Sequence, residues 1–231
     1  MATIGRLHTI QDNHAIREAV ISFTVTPQIV NPEKYRHLLD AGNPLSLRYH
    51  KFEPVKVQEL KIDSGINATT VSSLKDAGFK LISFRNGSTA DVIQGLTQAR
   101  NGLFTFNTVA YEGWTRFIED TLSSATIVAG LNDSYKACAF SLMYIDEFYF
   151  DGRGTYVPDE LFNVTSRNLP QGIEDSDLVD YNFSLQRNHD SKTYFKNMSV
   201  KVMPTAGNTI IRITENLTFN ISPIPFVQLL Q

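Results

Sequence analysis

A single cysteine, Cys138, stands in a chain of 231 residues, so no intrachain disulfide can form. Tryptophan is equally scarce, with only Trp114. Neither sign of charge dominates: 21 basic and 24 acidic residues leave a net charge of −3, which gives no general pull toward nucleic acid or an anionic membrane. Long apolar runs are missing too. The opening stretch MATIGRLHTIQDNHA, Met1 to Ala15, lacks an apolar core of signal-peptide length, and no segment approaches the roughly 18 apolar residues that span a bilayer. These absences lead us to expect a soluble, cytoplasmic protein with no membrane partner. On that reading the eight Asn-x-Ser/Thr sequons reflect composition and not glycosylation.

Motifs for chemistry are also lacking. His8, His14, His37, His50 and His189 are scattered, with no His-x-His or His-Glu-x-x-His pair to ligate a metal. There is no Gly-x-Ser-x-Gly elbow, and Cys138 lies mid-strand between two alanines, where an inert thiol is the default. Gly152-x-Gly154 has neither the third glycine nor the Lys-Ser/Thr of a phosphate loop, so it reads as a turn. No catalytic residue, metal or cofactor is expected.

What the chain does have is aromatic side chains, 15 Phe and 9 Tyr, which favour strands. Alternation predicts a strand over 17–26, ended by Pro27, followed by a short helix opened by Asn31-Pro32 and stopped by Gly42. Pro54 argues against a central strand in 47–62, and the polar stretch 63–77 reads as a loop. Asn86-Gly87 and Asn101-Gly102 predict two hairpin turns and hence a three-stranded meander. Residues 112–130 are the best helix, with Trp114, Phe117, Ile118, Leu122 and Ala125 at the spacing of one buried face. A long strand over 135–150, a short helix from Pro158, and strands over 180–187, 194–203 and 209–221 complete the order. The final stretch, 225–231, is too short for a stable helix alone. The fold class is α+β, antiparallel meanders packed on a long helix in a single domain, with possible similar halves at 14–131 and 135–222.

Three stretches together resemble a known family. GLFTFNTVAYEGWTRFIEDT, Gly102 to Thr121, resembles the strand-then-helix signature of a sporadically distributed family of prokaryotic proteins of unknown function. Its most distinctive part is the Tyr-Glu-x-Trp that opens the helix. His14 to Pro27 looks like that family's first strand, and Phe140 to Gly152 is similar to its long strand. There Met143 and Asp146 stand where the family has Arg and Asn. The resemblance spans roughly residues 14 to 222. It implies no catalytic residues. The family's patchy distribution is that of mobile genes such as toxin–antitoxin or anti-phage systems, and its members continue into a further C-terminal helix. A weaker fold-level likeness is to SecB-type chaperones, which hold unfolded clients on apolar sheet grooves.

One strand end concentrates the remaining polar groups. Tyr144, Asp146 and Phe148 share a face by strand alternation, with Arg153 close in sequence, while Glu147 points the other way. An acid set between aromatics is expected to titrate high. The acidic run Glu174, Asp175, Asp177, Asp180 reads as a solvated loop. Three functions follow. The first is a non-enzymatic protein-interaction module, binding a protein partner or its own copy through aromatic strands. The second is a small-ligand-binding or hydrolytic domain at Tyr144, Asp146 and Arg153. The third is nucleic-acid binding, hinted at by Phe79-Lys80, Phe84-Arg85 and Tyr194-Phe195-Lys196 but weakened by the charge balance.

Overall fold

The computed structural model describes residues 6–11, 14–63, 68–151, 180–189, 192–205 and 208–231. The chain is mostly antiparallel strand with few helices. Ten strands are found among the described residues: β1 (Leu7–Thr9), β2 (Ile16–Thr26), β3 (Lys51–Asp63), β4 (Ala68–Arg85), β5 (Ser88–Thr97), β6 (Gly102–Thr108), β7 (Lys136–Phe150), β8 (Asp180–His189), β9 (Lys192–Pro204) and β10 (Thr209–Pro225). Among the described residues the α-helices are α1 (Trp114–Ala129) and α2 (Phe226–Leu229), and 3-10 turns at Pro32–Leu39 and Pro44–Leu47 stand between β2 and β3. No described helix is long and apolar enough to cross a membrane. The predicted helix at Pro158 lies outside the described residues, as does nearly all of the acidic run.

Contacts divide the chain into two compact units, one of residues 1–19 with 142–218 and a larger one of residues 20–141 with 219–231. In the larger unit the hydrogen-bonded order is β3-β4-β5-β6-β2-β7-β10. The meander β3 to β6 is antiparallel throughout. Its inner face is set by alternation: Leu81 and Phe79 on β4, Ile93 on β5, and Phe104 and Phe106 on β6 are all buried. The register pairs Ile93 with both Leu81 and Phe106, so one apolar row crosses three strands.

The first 3-10 turn lays Tyr35 on this face, stacked on Phe79 at 4.2 Å between ring centroids. Helix α2 brings Phe226, 1% exposed, to within 5.1 Å of Phe23. The short C-terminal stretch is thus helical because it docks: the Phe226 N–H donates to the Tyr135 carbonyl at 2.8 Å, and tertiary packing supplies what its length cannot.

Three local expectations need correction. Residues 68–77 are not a loop but the first part of β4, whose Ala68 pairs with Asp63 of β3. Pro54 lies, as expected, outside any central strand, since β3 is an outer strand of the order. Asn86 and Gly87 form the predicted turn, with φ of 52° and 78°, but Gly102 is a strand residue. Its small size serves packing, as a Cβ there would lie 2.7 Å from Ile29. Asn31 makes no side-chain cap, although Pro32 does open the turn.

Helix α1 is where predicted but rotated. Its buried residues are Phe117, Thr121, Ser124, Ala125, Val128 and Ala129, whereas Trp114 is 46% and Leu122 36% exposed. Phe117 and Ala125 of the expected stripe are buried and Ile118 is half-buried, but its Trp114 and Leu122 edge is exposed, the buried face turning instead toward the polar Thr121 and Ser124.

In the smaller unit the order is β2-β7-β10-β9-β8, with β1 also on β7. β8 and β9 form an antiparallel hairpin. β1 pairs Leu7 to Thr9 with Phe150 to Phe148. The Ile10 N–H then donates to Glu147 O at 3.3 Å, and the Glu147 N–H donates to Ala15 O at 2.8 Å. β1 and β2 therefore follow one another along the same side of β7.

Candidate functional site

A cavity of about 370 Å³ opens in the larger unit, at the end of the meander's inner face. Two residues beyond the apolar row the same face turns polar. Ser83 on β4, Asp91 on β5 and Thr108 on β6 are each 6% exposed and line the cavity. Asp91 pairs directly with Thr108, while the β4 register slips between Ile82 and Phe84, a bulge beside the site. A carboxylate on an inner face must find a cation, and here Arg48 supplies it.

The second 3-10 turn places that arginine. Asn43 accepts the Leu45 N–H at 3.0 Å, and the Tyr49 N–H closes on Leu45 O at 2.8 Å. Arg48 Nε lies 3.2 Å from Asp91 Oδ2 and one terminal nitrogen 3.1 Å from the same oxygen. Its other terminal nitrogen reaches Asp120 Oδ2 at 2.9 Å. Burial opposes the Arg48 charge, but Tyr49, Asp91 and Asp120 outweigh it and raise the pKa further. Tyr49 below is pushed up to about 12, chiefly by burial and against the pull of Arg48, and it hydrogen-bonds Ser124 of α1. That bond accounts for a serine on the helix's buried face.

The network continues outward along α1. Glu112, Arg116 and Asp120 are spaced by four residues, so they stack along one side of the helix start. Gly113, at φ 126°, turns the chain into the helix. Arg116 contacts Glu112 Oε2 at 2.5 Å and lies 3.9 Å from Asp120. Arg85, next to the Asn86-Gly87 turn, pairs with Glu112 Oε1. The Arg85 hydrogen bond, then Arg116, holds the Glu112 carboxyl below its ordinary range. The result is an alternating ladder, Arg85, Glu112, Arg116, Asp120, Arg48, Asp91. Leu47, Phe84, Ala110, Tyr111 and Phe117 complete the lining.

The sequence-predicted residues lie in the other unit. Tyr144, Asp146 and Phe148 are half-buried on β7, and Arg153 lies outside the described residues. Burial raises the Asp146 carboxyl, Glu215 adds to the rise, and His14 opposes it. Glu147 is buried and held by Arg212, whose Nε is 2.8 Å from Oε1, so it anchors the fold. Cys138 is half-buried and donates to Thr24 O at 3.3 Å, its thiol raised by burial. Among the described residues no group of three or more His, Cys, Asp or Glu is placed to hold a metal ion.

The ladder was legible only in part. The spacing of Glu112, Arg116 and Asp120 was open to reading on a predicted helix. Asp91 is visible as an acid at an inward strand position. Arg48 joins them through a turn that carries no signal of it. Comparison with family models, curated proteins and solved structures returns no match.

Proposed function

We propose that this chain is a non-enzymatic protein-interaction module and that the mouth of the arginine-lined cavity is its contact surface. The observation that carries this reading is the make-up of the mouth. Leu47 is 87% exposed and Phe84 41%, and both line the cavity together with Tyr111. Arg85 and Arg116 flank these apolar groups. Arg, Trp and Tyr are the side chains that most often dominate binding energy at interfaces. The occupant that fits is a segment of a partner protein with an acidic side chain beside an apolar one: the acid meets outward arginines and the apolar group meets Leu47 and Phe84. Helix α1 is the wall of this platform. The resemblance to a sporadically distributed prokaryotic family supports a place in a defence or toxin–antitoxin-type system.

Selection from a displayed library of random peptides tests the reading. Enriched peptides are expected to carry Asp or Glu next to an apolar residue and to lose binding to Leu47→Asp. Enrichment that Leu47→Asp leaves intact, or none at all, overturns it. Dimerisation abolished by Leu47→Asp would replace the partner with a second copy, and capture of unfolded chains without motif would point to a SecB-like role.

A second reading, a small-ligand-binding or hydrolytic domain at Tyr144 and Asp146, draws support from the raised Asp146 carboxyl. Ligand binding lost in Asp146→Asn, with the fold intact, would favour it over the first.

A further inference from the structure

Two of the cavity's three arginines stand outside its acids, whereas the Arg48 side chain, 33% exposed, lies deeper. The side chains of Arg85 and Arg116 are 51% and 64% exposed, against 37% for Glu112, 37% for Asp120 and 9% for Asp91. The outermost charges of the ladder are therefore positive, although it is neutral as a whole. Each guanidinium carries five N–H donors in a planar fork. Glu112 engages one terminal nitrogen of each, Arg85 through Oε1 and Arg116 through Oε2. The Arg116 Nε is 3.9 Å from Asp120, an ion-pair distance too long for a hydrogen bond.

One carboxylate with each oxygen on a different guanidinium is how arginine pairs hold a carboxylate or phosphate from another molecule. Glu112 is well suited to be a stand-in. It precedes α1 in a stretch without regular structure, and Gly113 after it has a φ of 126°. The cavity beside it measures about 370 Å³, ample for a small anion. We infer that Arg85 and Arg116 form an oxyanion site which Glu112 fills as an internal competitor, and that an oxyanion from outside takes its place. That oxyanion is a partner's carboxylate side chain or a phosphate. This rests on the contact surface proposed above. Exchange breaks two ion pairs and makes two, so binding to the unaltered chain is weak. Removing the Glu112 charge removes the competitor.

Calorimetric titration of the full chain at low ionic strength, with inorganic phosphate and separately with succinate, tests this. Glu112→Gln is expected to bind at least one of them roughly tenfold more tightly than the unaltered chain. Adding Arg85→Gln and Arg116→Gln to that variant should abolish the gain. Preference for succinate assigns the site to a carboxylate side chain, and preference for phosphate to a phosphate group. Equal affinity in Glu112→Gln and the unaltered chain overturns the inference, as does binding that survives loss of both arginines. Should Glu112→Gln fail to fold, Arg116→Ala must weaken phosphate or succinate binding by the unaltered chain; no change is equally fatal. A negative titration leaves the contact surface to be decided by the peptide selection, so the two failures are separable.

Discussion

Arg48 holds Asp91, a carboxylate 9% exposed on the inner face of the meander, through two of its nitrogens. The pair is unequal. Among the described residues Asp91 pairs with no other cation, whereas Arg48 also has Asp120 at 2.9 Å. Deleting the arginine therefore strands a buried charge, while deleting the acid leaves the arginine paired. Arg48→Met is expected to cost about 2–4 kcal/mol, somewhat eased by the open cavity, and Asp91→Asn about 1–2 kcal/mol. Urea unfolding of both variants checks the order; equal costs would show that Asp91 finds other compensation.

Tyr49 makes the larger unit sensitive to alkali. Its folded pKa of about 12 lies above the ordinary 10.0. The folded state then binds the proton more tightly, so its contribution is complete below pH 10 and is lost as pH rises toward 12. The loss amounts to up to about 3 kcal/mol. Unfolding midpoints measured from pH 9 to 12 should fall steeply in the unaltered chain and less steeply in Tyr49→Phe.

The rotation of α1 separates two aromatic residues that sequence spacing had put on one buried face. Phe117, 7% exposed, should cost about 3–5 kcal/mol on change to alanine. Trp114, 46% exposed, should cost clearly less, about 1–2 kcal/mol. Thermal unfolding of the two variants decides between the faces.

Acid should loosen β1. Asp151 accepts the Arg6 N–H at 2.5 Å and lies 3.1 Å from His8 Nε2. The Arg6 bond, then His8, lowers its pKa below the ordinary 3.8. The contribution is present above the ordinary carboxylate value and lost as pH falls through the depressed one. Hydrogen exchange at Leu7 to Thr9 should quicken in Asp151→Asn at neutral pH, with the β8–β9 hairpin unaffected.

Strands and the Asn86-Gly87 turn were legible because alternation and turn chemistry are local. The α1 stripe was only half legible: Phe117 and Ala125 are buried, but so are the polar Thr121 and Ser124, the latter bonded to Tyr49. The candidate site was less legible still. The expected site, Tyr144 to Phe148 with Arg153, keeps to one strand and its end, whereas the ladder draws on a turn, two strands and a helix. Only the register that sets Asp91 beside Thr108 and under Arg48 brings those charges together.

The most direct measurement is a hydrogen-exchange footprint of a selected acidic peptide on the full chain. The account predicts protection over residues 84–85 and 110–116, abolished by Arg85→Gln with Arg116→Gln. Protection confined to Tyr144–Phe148 or to an outer strand, with residues 84–85 and 110–116 unchanged, would contradict it.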